Sequence, residues 1–234
     1  MSGTLYGIGV GPGDPDLLTV KAVKTIAACP VLAFPAPETG ASLARTIADP
    51  HVPPGKIELP IRLPIDIERH PAQDAYDAGA VALARELDAG RDVALLCLGD
   101  PLFYGSFMYL QARLAARHRV VAIPGVTSFA ASAALAGHAV AARGDSLAVV
   151  PATLDDEEIS RRIEAHDSLV FLKLGRHFAR VKALLGSAGL TEAALYVERA
   201  GQPGERLLAL RDAAFDVAPY FSLVLVHRRG CAWR

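Results

Sequence analysis

Short runs of consecutive apolar residues alternate along this chain with longer stretches in which apolar positions recur every three to four residues. That alternation is the pattern of α/β units built on parallel strands. Leu5 to Val10 reads as a first strand, and Asp16 to Ala28 as a helix with Leu17, Leu18, Ala22, Val23 and Ile26 on one face. Val31 to Phe34 reads as a second strand. Tyr76, Ala80, Leu83, Ala84 and Leu87 keep helical step, which predicts a helix over Ala72 to Ala89 with Gly90 placed to close it. Val93 to Leu98 is apolar throughout, so it should be a central strand covered on both faces. The Pro-rich stretch PHVPPGKIELPIRLPIDIERHP (residues 50–71) should form extended pieces and loops, because proline and pre-proline residues interrupt regular structure.

The second half restarts the alternation. Strands are predicted at Val120 to Ile123, Leu147 to Pro151, Leu169 to Leu174 and near Ala194 to Glu198. Helices are predicted at Thr127 to Leu135, Asp156 to Ala165 and His177 to Leu185. Two late β runs, Arg206 to Leu210 and Phe221 to Val226, have little helix between them, which favours antiparallel pairing and a mixed sheet. The expected fold class is α/β with two α/β domains, residues 1–118 with a mainly parallel sheet and 119–234 with a mixed one. A cleft between two such halves is where a ligand is expected.

Composition narrows the chemistry. Net charge is −1 over 234 residues, so no overall basic excess exists to neutralise the phosphates of a nucleic acid. Cys29, Cys97 and Cys231 are odd in number and far apart, which fits neither a disulfide framework nor a metal pair and predicts free thiols. The seven histidines show no ligand spacing, and no metal is expected. No signal-peptide pattern and no apolar run of about 20 residues occurs, so a cytoplasmic location and no membrane association are expected.

Three segments carry candidate chemistry. GIGVGPGD has glycine at every second position, Gly7, Gly9, Gly11 and Gly13. It fails the dinucleotide fingerprint GxGxxG, because Pro12 or Asp14 stands where the third glycine belongs, and no acidic residue closes the next strand. Alternating glycines in a strand clear one face, so that another backbone or a ligand can approach. LCLGDPLFYGS (residues 96–106) turns sharply at the carboxyl end of a buried strand, where open α/β sheets place ligands. IPGVTSFAAS (residues 123–132) leads from a strand into a helix whose first turn holds Thr127 and Ser128, hydroxyls suited to capping or to a small polar ligand.

In order and spacing, GIGVGPGD, LGDPLFYG and PGVTS resemble the tetrapyrrole methylase family over essentially the whole chain. That resemblance implies S-adenosylmethionine as cofactor, two α/β domains of roughly five strands each, and a homodimer. CLGDPLFYGSFMYL is most similar to the precorrin-2 C20-methyltransferase branch, and LAFPAP (residues 32–37) agrees with it. The uroporphyrinogen branch typically has an acidic residue where this chain has Pro35.

By motif, the resemblance implies cofactor contacts at Pro12, Leu98, Gly99, Asp100, Phe103, Thr127, Ser128, Leu174, Ala200 and Gly201. Substrate contacts are expected at Gly11, Pro12, Gly13, Arg62 and Arg143, with Lys56 and His138 as further candidates. Asp100 and Tyr104 are the candidate catalytic residues. A C20-methyltransferase acting on the cobalt-containing substrate, a uroporphyrinogen methyltransferase and a non-catalytic tetrapyrrole carrier are the competing readings. A nicotinamide-dependent dehydrogenase is weakened by the failed fingerprint.

Overall fold

The computed structural model describes residues 2–62 and 69–229, so Cys231 and residues 63–68 of the Pro-rich stretch lie outside the described residues. Contacts divide the chain into two compact units, Met1–Thr127 and Ser128–Arg234.

The first unit runs β1 (Thr4–Gly9), α1 (Val20–Ala28), β2 (Val31–Ala36), α2 (Leu43–Ala48), β3 (Ile57–Arg62), α3 (Arg69–Asp88), β4 (Val93–Cys97), α4 (Phe107–Leu114) and β5 (Arg119–Ile123). Its five strands are all parallel, in the order β3-β2-β4-β1-β5. Strand periodicity of two sorts the side chains into two cores. Ile8, Val10, Leu32 and Leu96 pack with Ala22 and Ile26 of α1 and Ile47 of α2. Leu5, Val31, Val93 and Leu95 pack on the other face with Leu83 and Leu87 of α3 and Phe107 and Leu110 of α4. Every residue of β4 is buried, as its unbroken apolar run requires.

Several boundaries differ from the expected ones. Strand β5 pairs with β1 from Thr4↔Arg119 to Ile8↔Ile123, so it belongs to the first sheet. The division therefore falls after Thr127 rather than after residue 118. Helix α1 begins at Val20 instead of Asp16 because the Thr19 hydroxyl accepts the Ala22 N–H at 3.1 Å and caps it there. The Pro-rich stretch contains a real strand, β3, which tolerates Pro60 because it lies at the sheet edge, where one side of the ladder is unpaired. The Lys56 ammonium donates to the carbonyls of Ala27 at 2.7 Å and Cys29 at 2.6 Å, closing the carboxyl end of α1.

The second unit runs α5 (Ser128–Leu135), β6 (Leu147–Pro151), α6 (Asp156–Ala165), β7 (Ser168–Leu172), α7 (Phe178–Ser187), β8 (Ala194–Glu198), β9 (Arg206–Ala209) and β10 (Ser222–His227). The sheet is mixed, ordered β6-β7-β10-β8-β9, with β6 and β7 parallel and the other neighbours antiparallel. Helices α6 and α7 cover one face through Ile159, Ile163, Phe178 and Val181, which meet Val150, Phe171, Tyr196 and Val224. Ala133 and Phe129 of α5 pack on the other face against Val170, Val197 and Leu225. Among the described residues, no helix is long and apolar enough to cross a membrane.

Candidate functional site at the carboxyl end of the first sheet

Strands β1 and β4 are neighbours, yet the helices that follow them pack on opposite faces, α1 on one and α4 on the other. The chain leaves their carboxyl ends in opposite directions, and that divergence is where open α/β sheets hold ligands. Both expected motifs end there.

Backbone geometry dominates the place. The Val10 N–H donates to the Cys97 carbonyl at 2.9 Å, the last step of the parallel ladder. Beyond it, Gly11 and Gly99 form an antiparallel bridge, their N–H groups donating to each other's carbonyls at 3.3 and 2.9 Å. Two parallel strands can pair this way only if the chain swings round, and both residues sit in the left-handed region, at φ 76° and 64°. Gly125, after β5, closes in from the other side. A Cβ on Gly9 would lie 2.6 Å from Gly125, and one on Gly125 would lie 2.2 Å from the Gly99 carbonyl oxygen.

The alternating glycines thus divide by role. Gly7 makes room for the Phe107 ring, which a Cβ would meet at 2.4 Å, and Gly9 makes room for Gly125. Both serve packing rather than a ligand. Pro12 is buried and Gly13 half-buried just past the bridge.

Asp100 fixes the junction. One carboxylate oxygen accepts the Leu102 N–H at 2.9 Å and the other accepts the Gly125 N–H at 3.0 Å, joining the turn after β4 to the turn after β5. Leu98 and Phe103 are half-buried beside it. The Tyr104 ring stands edge-on to Phe103 at 4.9 Å, exposed, on a backbone with φ 55°. Left-handed backbone is costly for an aromatic residue and is concentrated at functional places. Cys97 ends β4 beneath the turn, and burial pushes its thiol up to about 12.

Other expected residues lie elsewhere. Arg62, on edge strand β3, donates to the Pro37 carbonyl at 2.7 Å and lines an open pocket of about 640 Å³ with Phe34, Ser42, Arg45 and Glu58. Leu174 is fully buried in the core beneath α7, and its carbonyl accepts the His177 N–H at 2.7 Å. Ala200 is buried against β10, whereas Gly201 is exposed and donates its N–H to Glu205 at 2.6 Å. Thr127 is the last residue of the first unit, and Ser128 opens α5 in the second.

Arg143 is exposed, with φ 51°, in the connection between α5 and β6. His138 belongs to the same connection. Its N–H donates to the Ala133 carbonyl at 2.9 Å, and with the Gly137 N–H on Ala134 at 3.1 Å it completes a Schellman cap on α5. Its ring lies edge-on to His227 at 6.3 Å, and burial together with that neighbour holds its pKa below the usual histidine value. His227 meets the buried carboxylate of Asp145 at 2.9 Å, and Arg229 pairs with the same carboxylate. This Asp145–His227 tie had no sequence signal, since its members are far apart in the chain. Gly9 and Gly125 were more legible, each being a glycine at or just past the end of a predicted strand.

Residues 4–214 match the model of the family described as Tetrapyrrole (Corrin/Porphyrin) Methylases. This chain belongs to that family. It is 41% identical over 232 residues to a precorrin-2 C(20)-methyltransferase of Sinorhizobium sp, covering 96% of this chain and 95% of the relative. A cobalt-precorrin-2 C(20)-methyltransferase of Salmonella typhimurium is 36% identical, with 98% of both chains covered. The cobalamin biosynthesis protein CobIJ of Mycobacterium bovis is 42% identical, but the chain spans only 46% of that relative's length. Among solved structures, a uroporphyrin-III C-methyl transferase of Thermus thermophilus complexed with S-adenyl homocysteine superposes with a TM-score of 0.69 at 26% identity, covering 96% of this chain and 92% of that one.

Proposed function

We propose that this protein transfers a methyl group from S-adenosylmethionine to C20 of precorrin-2, giving precorrin-3A, in cobalamin biosynthesis. The observation that carries this reading is the 41% identity to a precorrin-2 C(20)-methyltransferase along nearly the full length of both chains. The donor supplies an already electrophilic methyl sulfonium, so no nucleophilic side chain is needed.

The first unit suits such a donor. A Cβ at Gly99 would meet the Val126 carbonyl oxygen at 3.8 Å and the Thr127 Cα at 4.0 Å, ordinary contacts with no clash. Leu98, Phe103 and Pro12 are the proposed apolar contacts to the donor, while Asp100 ties the turn after β4 to the turn after β5. Thr127 in this unit, and Ser128, Ala200 and Gly201 in the second, are further proposed cofactor contacts. Gly11, Gly13, Arg62 and Arg143 are proposed to meet the substrate.

The chain's main task is alignment. Holding the acceptor carbon, methyl and sulfur in line can contribute roughly 7 to 11 kcal/mol. Asp100 acts as a positioning residue, since both of its oxygens accept backbone N–H groups. Tyr104, exposed beside Phe103, is the better placed of the two to meet the proton shed after alkylation. We propose a cytoplasmic homodimer, an assembly supported by the exposed apolar Val217, Tyr220 and Phe221 of the second unit.

Incubation with precorrin-2, its cobalt form and uroporphyrinogen III, with isotopically labelled donor and the methyl position read by NMR, tests the reading. C20 labelling of precorrin-2 is expected; labelling of uroporphyrinogen alone would overturn it.

A further inference from the structure

A parallel sheet is ordinarily covered on both faces, and at β3 this one is not. Leu59 and Ile61 of β3 pack with α3, whereas Glu58, Pro60 and Arg62 alternate with them, face the other way and are exposed. On that second face α2 packs on the neighbouring β2, through Ala44 and Ile47 against Leu32, Phe34 and Ala36. The open pocket of about 640 Å³ lies between α2 and the uncovered face of β3.

This groove is polarised along its length. Toward the amino end of β3, Arg45 donates to Asp49 at 2.7 Å and to Glu58 at 2.8 Å, so two carboxylates answer one cation. At the carboxyl end the Arg62 guanidinium is held by the Pro37 carbonyl at 2.7 Å, and no carboxylate pairs with it among the described residues. A guanidinium so anchored keeps further N–H donors in a fixed fork that suits a carboxylate. Phe34 and Pro60, partners across the two strands, lie between these ends.

The register sets the cationic end beside the turn after β4. Strand β2 pairs with β4 as far as Ala33↔Leu95, and three residues further along each chain stand Ala36 and Leu98. Ala36 pairs with Arg62, so Arg62 is level with Leu98, two interstrand spacings or about 10 Å across the sheet.

We infer that the groove between α2 and β3 is a subsite for one acidic arm of the macrocycle, with the carboxylate on Arg62 and the pyrrole ring that bears it over Phe34 and Pro60. This rests on the proposed methylation of a tetrapyrrole, whose periphery carries many carboxylates. Glu58 and Asp49 at the far end repel a second acidic arm, so the groove seats a single one.

Uroporphyrin III, a stable polycarboxylated porphyrin, serves as probe in a fluorescence-quenching titration of the full chain. Arg62→Ala is expected to raise its dissociation constant about tenfold, the scale of one lost charge-assisted hydrogen bond, and Arg62→Lys should retain most of the affinity. Ala41→Glu, at an exposed position of the groove, adds a carboxylate there, leaves the bond from Arg62 to Pro37 in place and should weaken binding to a similar degree. Calorimetric affinity for S-adenosylhomocysteine should be the same in all three variants as in the wild type.

Unchanged porphyrin affinity in both Arg62→Ala and Ala41→Glu would overturn the subsite, as would wild type that binds no porphyrin. So would a matching loss of S-adenosylhomocysteine affinity, which would assign Arg62 to the donor's own carboxylate. If Arg62→Ala melts early, Ala41→Glu decides alone. Wild-type protein that binds uroporphyrin III but never methylates precorrin-2 would defeat the proposed reaction, while weakened porphyrin binding in the variants would still support the subsite.

Discussion

At the residue scale, the glycine junction decides most. Gly125→Ala forces a methyl group to within 2.2 Å of the Gly99 oxygen, a backbone atom that cannot swing aside. The expected loss is about 1–3 kcal/mol or more, the usual cost of overpacking, read as a lower denaturation midpoint. Gly11→Val should damage folding and not turnover alone, because a β-branched residue at φ 76° strains the backbone and its Cβ would lie 3.3 Å from Leu17.

Histidine chemistry at the same scale gives a pH dependence. His138 has a lowered pKa in the folded protein, caused first by burial and then by His227, which is itself tied to Asp145, the partner of Arg229. The unfolded chain binds the proton more readily, so stability should be fully present well above the unfolded histidine value of about 6.5 and should fall as pH drops below it. Melting curves across that range should be flatter for His138→Asn than for the wild type; equal slopes would place the titration elsewhere.

Elements show what the sequence could and could not reveal. Helix α3 was legible from its long, consistent period and strand β4 from its unbroken apolar run, whose residues fill the cores on both faces of the sheet. Helix α2, six residues long, is too short for a period to register, and α4 follows a turn-rich run, GDPLFYGS, that masks its start. Strand β3 was hidden by Pro60, since proline argues against a strand unless edge position is known, and edge position is a tertiary fact. Lys56 belongs here as well: Lys56→Ala should cost about 1 kcal/mol through two lost hydrogen bonds to the end of α1 and leave methyl transfer unchanged. A collapse in substrate affinity instead would restore it to the site.

At the scale of the whole molecule, each unit has its own cores, one on each face of its sheet. The division after Thr127 makes a specific prediction about fragments. Residues 1–127 should give a cooperative thermal transition by near-ultraviolet circular dichroism, whereas 1–118 should not. The shorter piece loses β5, exposes β1 as an unpaired edge, and releases Gly125 from Asp100. The two late strands do not pair with each other, since β9 and β10 flank β8, each antiparallel to it, but fold class and the mixed character of the second sheet could be read from hydrophobic pattern alone. The boundary could not, because the partner of a five-residue strand is chosen by pairing across the chain rather than by local sequence.

The junction of Gly9, Gly11, Gly99 and Gly125 also provides a spectroscopic handle. Only 20 glycines occur in the chain, so nitrogen-15 labelling of glycine alone gives a sparse amide spectrum. The Gly125 amide, donated to a carboxylate, and the mutually bonded Gly11 and Gly99 amides would report any ligand that settles on the turn. Gly55 and Gly189, in open surroundings, would serve as internal references.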